Sequence, residues 1–181
     1  MRRGFKARAE RLSVQVRKDM DVNESSPLAS ASVARHLGLE VRCADELIDI
    51  AKLEAIERLQ PGAFSACTFE IGDRRVIVWS PFASVGRTQS DIAHEVSHLL
   101  LKHQVKQIER VGKLSFFACD PDEEQEANWL SGCLLLPRPL LLGCTRRGMT
   151  AEDIADTYEV SVQMADFRIR ATGVLRQTRG N

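Results

Sequence analysis

His94-Glu95-Val96-Ser97-His98 sets two imidazoles four residues apart, with a carboxylate directly after the first. Residues i and i+4 are neighbours on one face of a helix, so both rings can grip a single metal ion. Glu95 then lies beside the ion without ligating it, where it can take a proton from a bound water. The spacing predicts metal-assisted hydrolysis, in the first instance of peptide bonds. Two core histidines that merely happen to be four apart make the bland alternative. With only four histidines in the chain, and a glutamate after this one, the metal reading is the stronger.

Such a site needs a third protein ligand. From Asp120 to Leu130 the chain has the marks of a helix start: an aspartate cap, Pro121 near the first position and acids in the first turn. Helical spacing puts Glu123, Glu126, Ala127 and Leu130 on one face. Glu123 and Glu126 are therefore the candidates to face the metal helix, and Glu124 is expected to point to solvent.

The metal helix is expected to start under a Thr88-Gln89-Ser90-Asp91 cap and to run through His103, with Ile92, Ala93, Val96, Leu99 and Leu100 as its buried stripe. Ahead of it, Ser65–Ile71 and Arg75–Trp79 flank Gly72-Asp73-Arg74 as a β-hairpin. The second strand, arriving just before the helix, has two readings of equal weight: an exposed edge for an extended peptide, or a strand of a simple core hairpin. Helices are also predicted over Gly4–Met20, Ser30–Leu37 and Ala44–Leu59, with a strand over Leu39–Arg42. His36 is read as structural, and residues 104–119 show no clear element. Near the C-terminus Thr150 caps a helix to Tyr158, Val160-Ser161 makes a turn, and Val162–Thr172 forms a second helix. This pair resembles a helix-turn-helix, in which Arg168 and Arg170 would face phosphates. Glu159 in the turn, with Asp156 and Asp166 nearby, opposes that use. A packing or substrate-docking element is the main expectation and direct DNA contact the lesser one.

Length and composition bound the rest. At 181 residues the chain holds one good core and a small accessory element. Lys and Arg balance Asp and Glu at 25 each, so no net charge advertises nucleic acid or an acidic membrane. Five widely spaced cysteines without a C-x-x-C pair read as reduced thiols in a cytoplasmic protein. No apolar run approaches the roughly 18 to 20 residues of a membrane span.

Three blocks together resemble the ImmA/IrrE family of metallopeptidases: Arg87 with Asp91-Ile92-Ala93-His94-Glu95-Val96-Ser97-His98-Leu99-Leu100-Leu101; Glu126-Ala127-Asn128 with Leu134-Leu135-Leu136-Pro137; and Val160-Ser161 with Arg168-Ile169 and Gly173. The resemblance implies an α+β zincin-like fold with a small twisted sheet, a peptidase domain over 1–145 and a helix-turn-helix-like pair over 146–181 packed on it. It implies Glu126 as the third ligand beside His94 and His98, and Zn²⁺ as the ion, with Mn²⁺ able to stand in. Glu95 would accept a proton from a metal-activated water, whose pKa falls from 15.7 toward about 7, and deliver it to the leaving amine. No residue pattern marks the group that stabilises the oxyanion; Tyr158, His103 and Arg87 are candidates, with a structural role for each the leading alternative. By the same resemblance the substrate is a helix-turn-helix repressor of the XRE type, cleaved in stress or mobile-element control. The alternative is a non-catalytic metal-binding regulator that acts through protein or DNA binding.

Overall fold

The computed structural model describes residues 1–71, 74–103, 108–111, 114–117 and 120–178. Helix α1 (Phe5–Asp19) buries Phe5, Ala9 and Val16, and a short α2 (Ser30–His36) follows, ahead of strand β1 (Glu40–Cys43). The helix expected over Ala44–Leu59 is broken. Cys43 N–H donates to the Glu46 carboxylate at 3.1 Å, closing a single 3-10 turn over Ala44–Glu46. Helix α3 (Ile50–Leu59) starts afresh under Asp49, whose carboxylate accepts from Ala51 N–H at 2.8 Å. Two side-chain caps within seven residues outcompete a continuous helical ladder.

Strands β2 (Ala66–Ile71) and β3 (Arg74–Trp79) form the expected antiparallel pair, with Thr68 opposite Ile77. The turn residues Gly72 and Asp73 lie outside the described residues. Of the two readings of β3, the exposed edge is overturned and the core strand holds: β3 is the central strand, parallel to β1 on one side and antiparallel to β2 on the other. Its composition explains this, because Val76, Ile77 and Val78 are 5%, 0% and 5% exposed, a run buried on both faces. Ile77 packs with Ile92 and Val96, while Val76 and Val78 pack with Ala44, Leu53 and Phe64. Among the described residues no strand covers the outer edge of β2.

The metal helix, α4 (Val85–Leu101), begins earlier than expected. Ser84 caps it, accepting from Arg87 N–H at 3.3 Å, so Thr88 to Asp91 lie inside the helix. It also ends earlier: Lys102 turns left-handed (φ 59°), and His103 N–H donates to the His98 carbonyl at 2.9 Å. His103 thus stands past the helix end, folded back toward it. Residues 104–119, where spacing gave no element, include the antiparallel strands β4 (Ile108–Val111) and β5 (Leu114–Phe117).

Helix α5 (Pro121–Leu135) starts as expected under Asp120, whose carboxylate accepts from Asp122 N–H at 2.8 Å. It packs along α4 and α1. Its C-terminal carbonyls are met by a side chain from α1: the buried Arg17 guanidinium donates to Leu134 O at 2.8 Å and Leu135 O at 3.3 Å. Such carbonyls have no partner within their own helix. Burial lowers the Arg17 pKa to about 10.

A helix not anticipated, α6 (Arg138–Arg146), follows Pro137, and the expected pair α7 (Ala151–Tyr158) and α8 (Val162–Thr172) comes next, with a final turn of helix α9 (Val174–Thr178). Leu135, Leu136, Leu140 and Leu141 share one apolar core with Ile154, Val160, Ala165, Ile169 and Val174, so a continuous core crosses residues 145/146. The Val160-Ser161 turn is clasped to α4. Ser161 N–H donates to Ser90 Oγ at 3.0 Å, and Gly86 lets the turn approach, since a Cβ there would stand 2.4 Å from Val160 O.

Arg168, a candidate phosphate contact, is instead fully buried, at 0% exposure. Its Nε donates to Leu136 O at 3.1 Å and one terminal nitrogen pairs with Glu10 at 2.8 Å. Gly132 makes room for its stem, because a Cβ there would lie 2.3 Å from Arg168 Cδ. Arg170 pairs with Asp166 of its own helix at 2.8 Å. No helix among the described residues is long and apolar enough to cross a membrane.

Candidate metal centre

One helical turn of α4 brings His94 Nε2 and His98 Nε2 to 3.0 Å from each other. The carboxylate that closes on them belongs to Glu124, with one oxygen 3.2 Å from His94 Nε2 and the other 3.5 Å from His98 Nε2. These donor atoms all lie within 4.8 Å of one another. Around an ion with bonds of 2.0–2.1 Å, the edges of a tetrahedron are about 3.3–3.4 Å, so two imidazole nitrogens and one carboxylate at these separations fit a three-ligand site.

Glu126, the expected third ligand, is not in this cluster. Its carboxylate is turned away: one oxygen accepts from Arg2 N–H at 3.1 Å and the other lies 3.7 Å from His103 Nε2. Glu124, expected in solvent, is half-buried on the imidazole pair. The reason is the roll of α5. Residues two apart on a helix are separated by about 200°, so Glu124 and Glu126 cannot both face α4's rings. Ala127 and Leu130, both 0% exposed, seat the Glu126 side of α5 in the core. Glu124 and Asn128, four apart, form the stripe over the histidines. A signal for this was present in the sequence: Asn128 is a polar residue one turn beyond Glu124, set between the apolar Ala127 and Trp129.

The two rings are oriented from behind. Asn128 Oδ1 lies 3.0 Å from His94 Nδ1. An amide oxygen only accepts, so the His94 proton sits on Nδ1 and its Nε2 lone pair is directed at the cluster. His98 Nδ1 is 3.0 Å from His103 Nδ1. Glu95, 5% exposed, is anchored between α4 and the sheet, where Thr68 Oγ1 of β2 donates to its Oε2 at 2.7 Å.

A cavity of about 300 Å³ opens beside His94, walled by Arg87, Asp91 and Asn128 and, from α8, by Gln163, Met164 and Phe167. Arg87 Nε donates to Asp91 at 2.8 Å. Burial pushes the Asp91 pKa up, and the Arg87 hydrogen bond opposes that rise. Of the three oxyanion candidates, only Arg87 lines this cavity. Tyr158 lies in the C-terminal core with its hydroxyl 3.5 Å from Cys144 Sγ, and His103 stands behind His98.

A buried HExxH helix against a small mixed sheet, with a carboxylate from the next long helix closing on the two rings, defines an α+β zincin-like metallopeptidase domain. A family model described as the IrrE N-terminal-like domain, Peptidase M78, matches residues 52–170, more than half of the chain. The chain belongs to this family of metallopeptidases. No curated protein and no solved structure matches it.

Proposed function

We propose that the chain is a zinc-dependent endopeptidase whose ion is held by His94, His98 and Glu124, with Glu95 as the general base. The observation that carries this reading is the convergence of two imidazole nitrogens and a carboxylate beside a buried, anchored glutamate. Two nitrogens and one oxygen suit Zn²⁺, with Mn²⁺ as the other candidate. When bound, the ion supplies Lewis acidity, making a coordinated water acidic and polarising the scissile carbonyl. Glu95 takes that water's proton on its carboxylate and passes it to the leaving amine. Thr68, by donating to Oε2, fixes the carboxylate and leaves Oε1 for the proton. Arg87, in the wall of the cavity beside His94, is the remaining cation suited to a developing oxyanion.

An extended peptide as substrate is supported by the edge of β2, uncovered among the described residues, which carries Thr68 and so runs next to Glu95. An extended peptide pairs with such an edge through main-chain hydrogen bonds. By the family resemblance the protein substrate is a helix-turn-helix repressor of the XRE type, cut in the cytoplasm. The DNA-binding alternative loses its main support with Arg168 in the core and Arg170 paired with Asp166.

The test mixes zinc-loaded protein with a repressor encoded beside it and looks for a discrete cut. Glu95→Gln should bind metal normally and cut about 10²- to 10⁴-fold more slowly. A cut that survives Glu95→Gln sinks the mechanism. No cut by the wild type, with either ion and across such repressors, sinks the peptidase reading.

A further inference from the structure

Glu126 is 3% exposed, and a carboxylate withdrawn from water needs a use for its charge. Its surroundings form a chain that leads to the metal site. Glu126 lies 3.7 Å from His103 Nε2, and His103 Nδ1 lies 3.0 Å from His98 Nδ1. We infer that Glu126 and His103 are positioning residues that set the metal affinity of the site through the His98 ring. The inference rests on the ligand set proposed above.

Only one arrangement of protons satisfies the chain. An imidazole that offers Nε2 to a metal carries its proton on Nδ1, so His98 Nδ1–H donates and His103 Nδ1 accepts. The His103 proton then sits on Nε2, on the side of the Glu126 carboxylate, whose negative charge favours it there. Glu126 in turn is pinned by Arg2 N–H at 3.1 Å. Both the His103 and Glu126 side chains are 4% exposed, so water does not compete for these contacts.

The local backbone is bent to make this possible. Lys102 adopts φ 59°, which residues other than glycine rarely take, and that turn folds His103 back onto His98. The two ligand rings are thus supported differently: His94 by the neutral amide of Asn128, His98 by a second imidazole with a buried carboxylate behind it. Buried, charge-terminated support of this kind fixes ring orientation and raises the basicity of the ligating nitrogen.

The test uses the full chain and reads metal binding, not cleavage. Zn²⁺ affinity is measured by competition with a chromophoric chelator, the ligand field from the visible spectrum of the Co²⁺-loaded protein, and integrity from apo-protein thermal unfolding. His103→Phe and Glu126→Gln should each weaken Zn²⁺ binding by about 10- to 100-fold while keeping the Co²⁺ spectrum and the apo unfolding temperature. Glu124→Gln, in contrast, should change the Co²⁺ spectrum itself. His103→Asn places an acceptor oxygen where Nδ1 stood and should recover most of the affinity, which separates lost support from lost bulk even if the phenylalanine variant folds poorly. Wild-type Zn²⁺ affinity in Glu126→Gln overturns the inference. So does a Co²⁺ spectrum altered by Glu126→Gln and untouched by Glu124→Gln, which would make Glu126 the ligand. Because no arm depends on turnover, failure of the peptidase reading leaves these titrations interpretable, and unchanged affinity with normal cleavage removes the relay alone.

Discussion

Arg168 gives the sharpest test of how the C-terminal helices are joined to the rest. Its guanidinium is 0% exposed, bonded to Leu136 O at 3.1 Å and paired with Glu10 at 2.8 Å. Its remaining terminal nitrogen, NH1, is buried with no hydrogen-bond partner among the described residues. Removing one member of a buried ion pair costs about 3–5 kcal/mol, because the other charge loses its partner. Glu10 is 28% exposed and can recover some hydration, which places Arg168→Ala near the lower end, at about 3 kcal/mol. For a chain of this size that is a fall in Tm of about 6–12 °C. Arg168→Met should cost less, because it fills the space beside Gly132 that the arginine stem occupies and takes the incompletely bonded charge out of the core. Urea unfolding of both variants, with Glu10→Gln closing a double-mutant cycle, measures the pair directly. If Arg168→Ala unfolds within about 1 kcal/mol of wild type, the buried pair is not what ties α8 to α1 and the reasoning is wrong.

Gly86→Ala should drive the α4 start and the Val160 turn apart, because the new Cβ meets backbone atoms at 2.4 and 2.7 Å that cannot swing aside. A loss of about 1–3 kcal/mol in urea unfolding is expected, and an unperturbed midpoint would refute the close approach. Burial pushes the Cys133 thiol from its ordinary 9.0 up to about 12, so the unfolded chain loses this proton first as pH rises. The stability linked to it is complete below about pH 9 and drains away toward about pH 12. Cys133→Ala should therefore show a shallower alkaline fall in its urea midpoint; equal slopes in the two proteins would contradict this.

Much of the architecture was legible because it is written in local spacing. The α1 stripe of Phe5, Ala9 and Val16, the β2–β3 pair and the Asp120 cap of α5 all follow from neighbours in sequence, and all are present. The errors fall where a local pattern has two outcomes. The run from Ala44 to Leu59 has helical spacing throughout, yet Cys43–Glu46 and Asp49 offer caps that restart it. Arg168 and Arg170 look alike in sequence, but Gly132, 36 residues earlier, opens a channel for only one of them.

The sequence by itself determined the helix-borne part of the centre. That His94 and His98 face the same way, and that Glu95 sits beside them, is a property of a single α-helix and needs no other element. Which carboxylate closes on the two rings was decided only by tertiary structure. Helical spacing alone left Glu123 and Glu126 as the candidates and turned Glu124 to solvent, because it shows which residues share a face of α5 and not which face meets the rings. The roll of α5 is fixed by burying Ala127 and Leu130 against the core and by seating Asn128 on His94. Those contacts join residues distant in sequence, and they bring Glu124 to the imidazoles while leaving Glu126 behind them against His103.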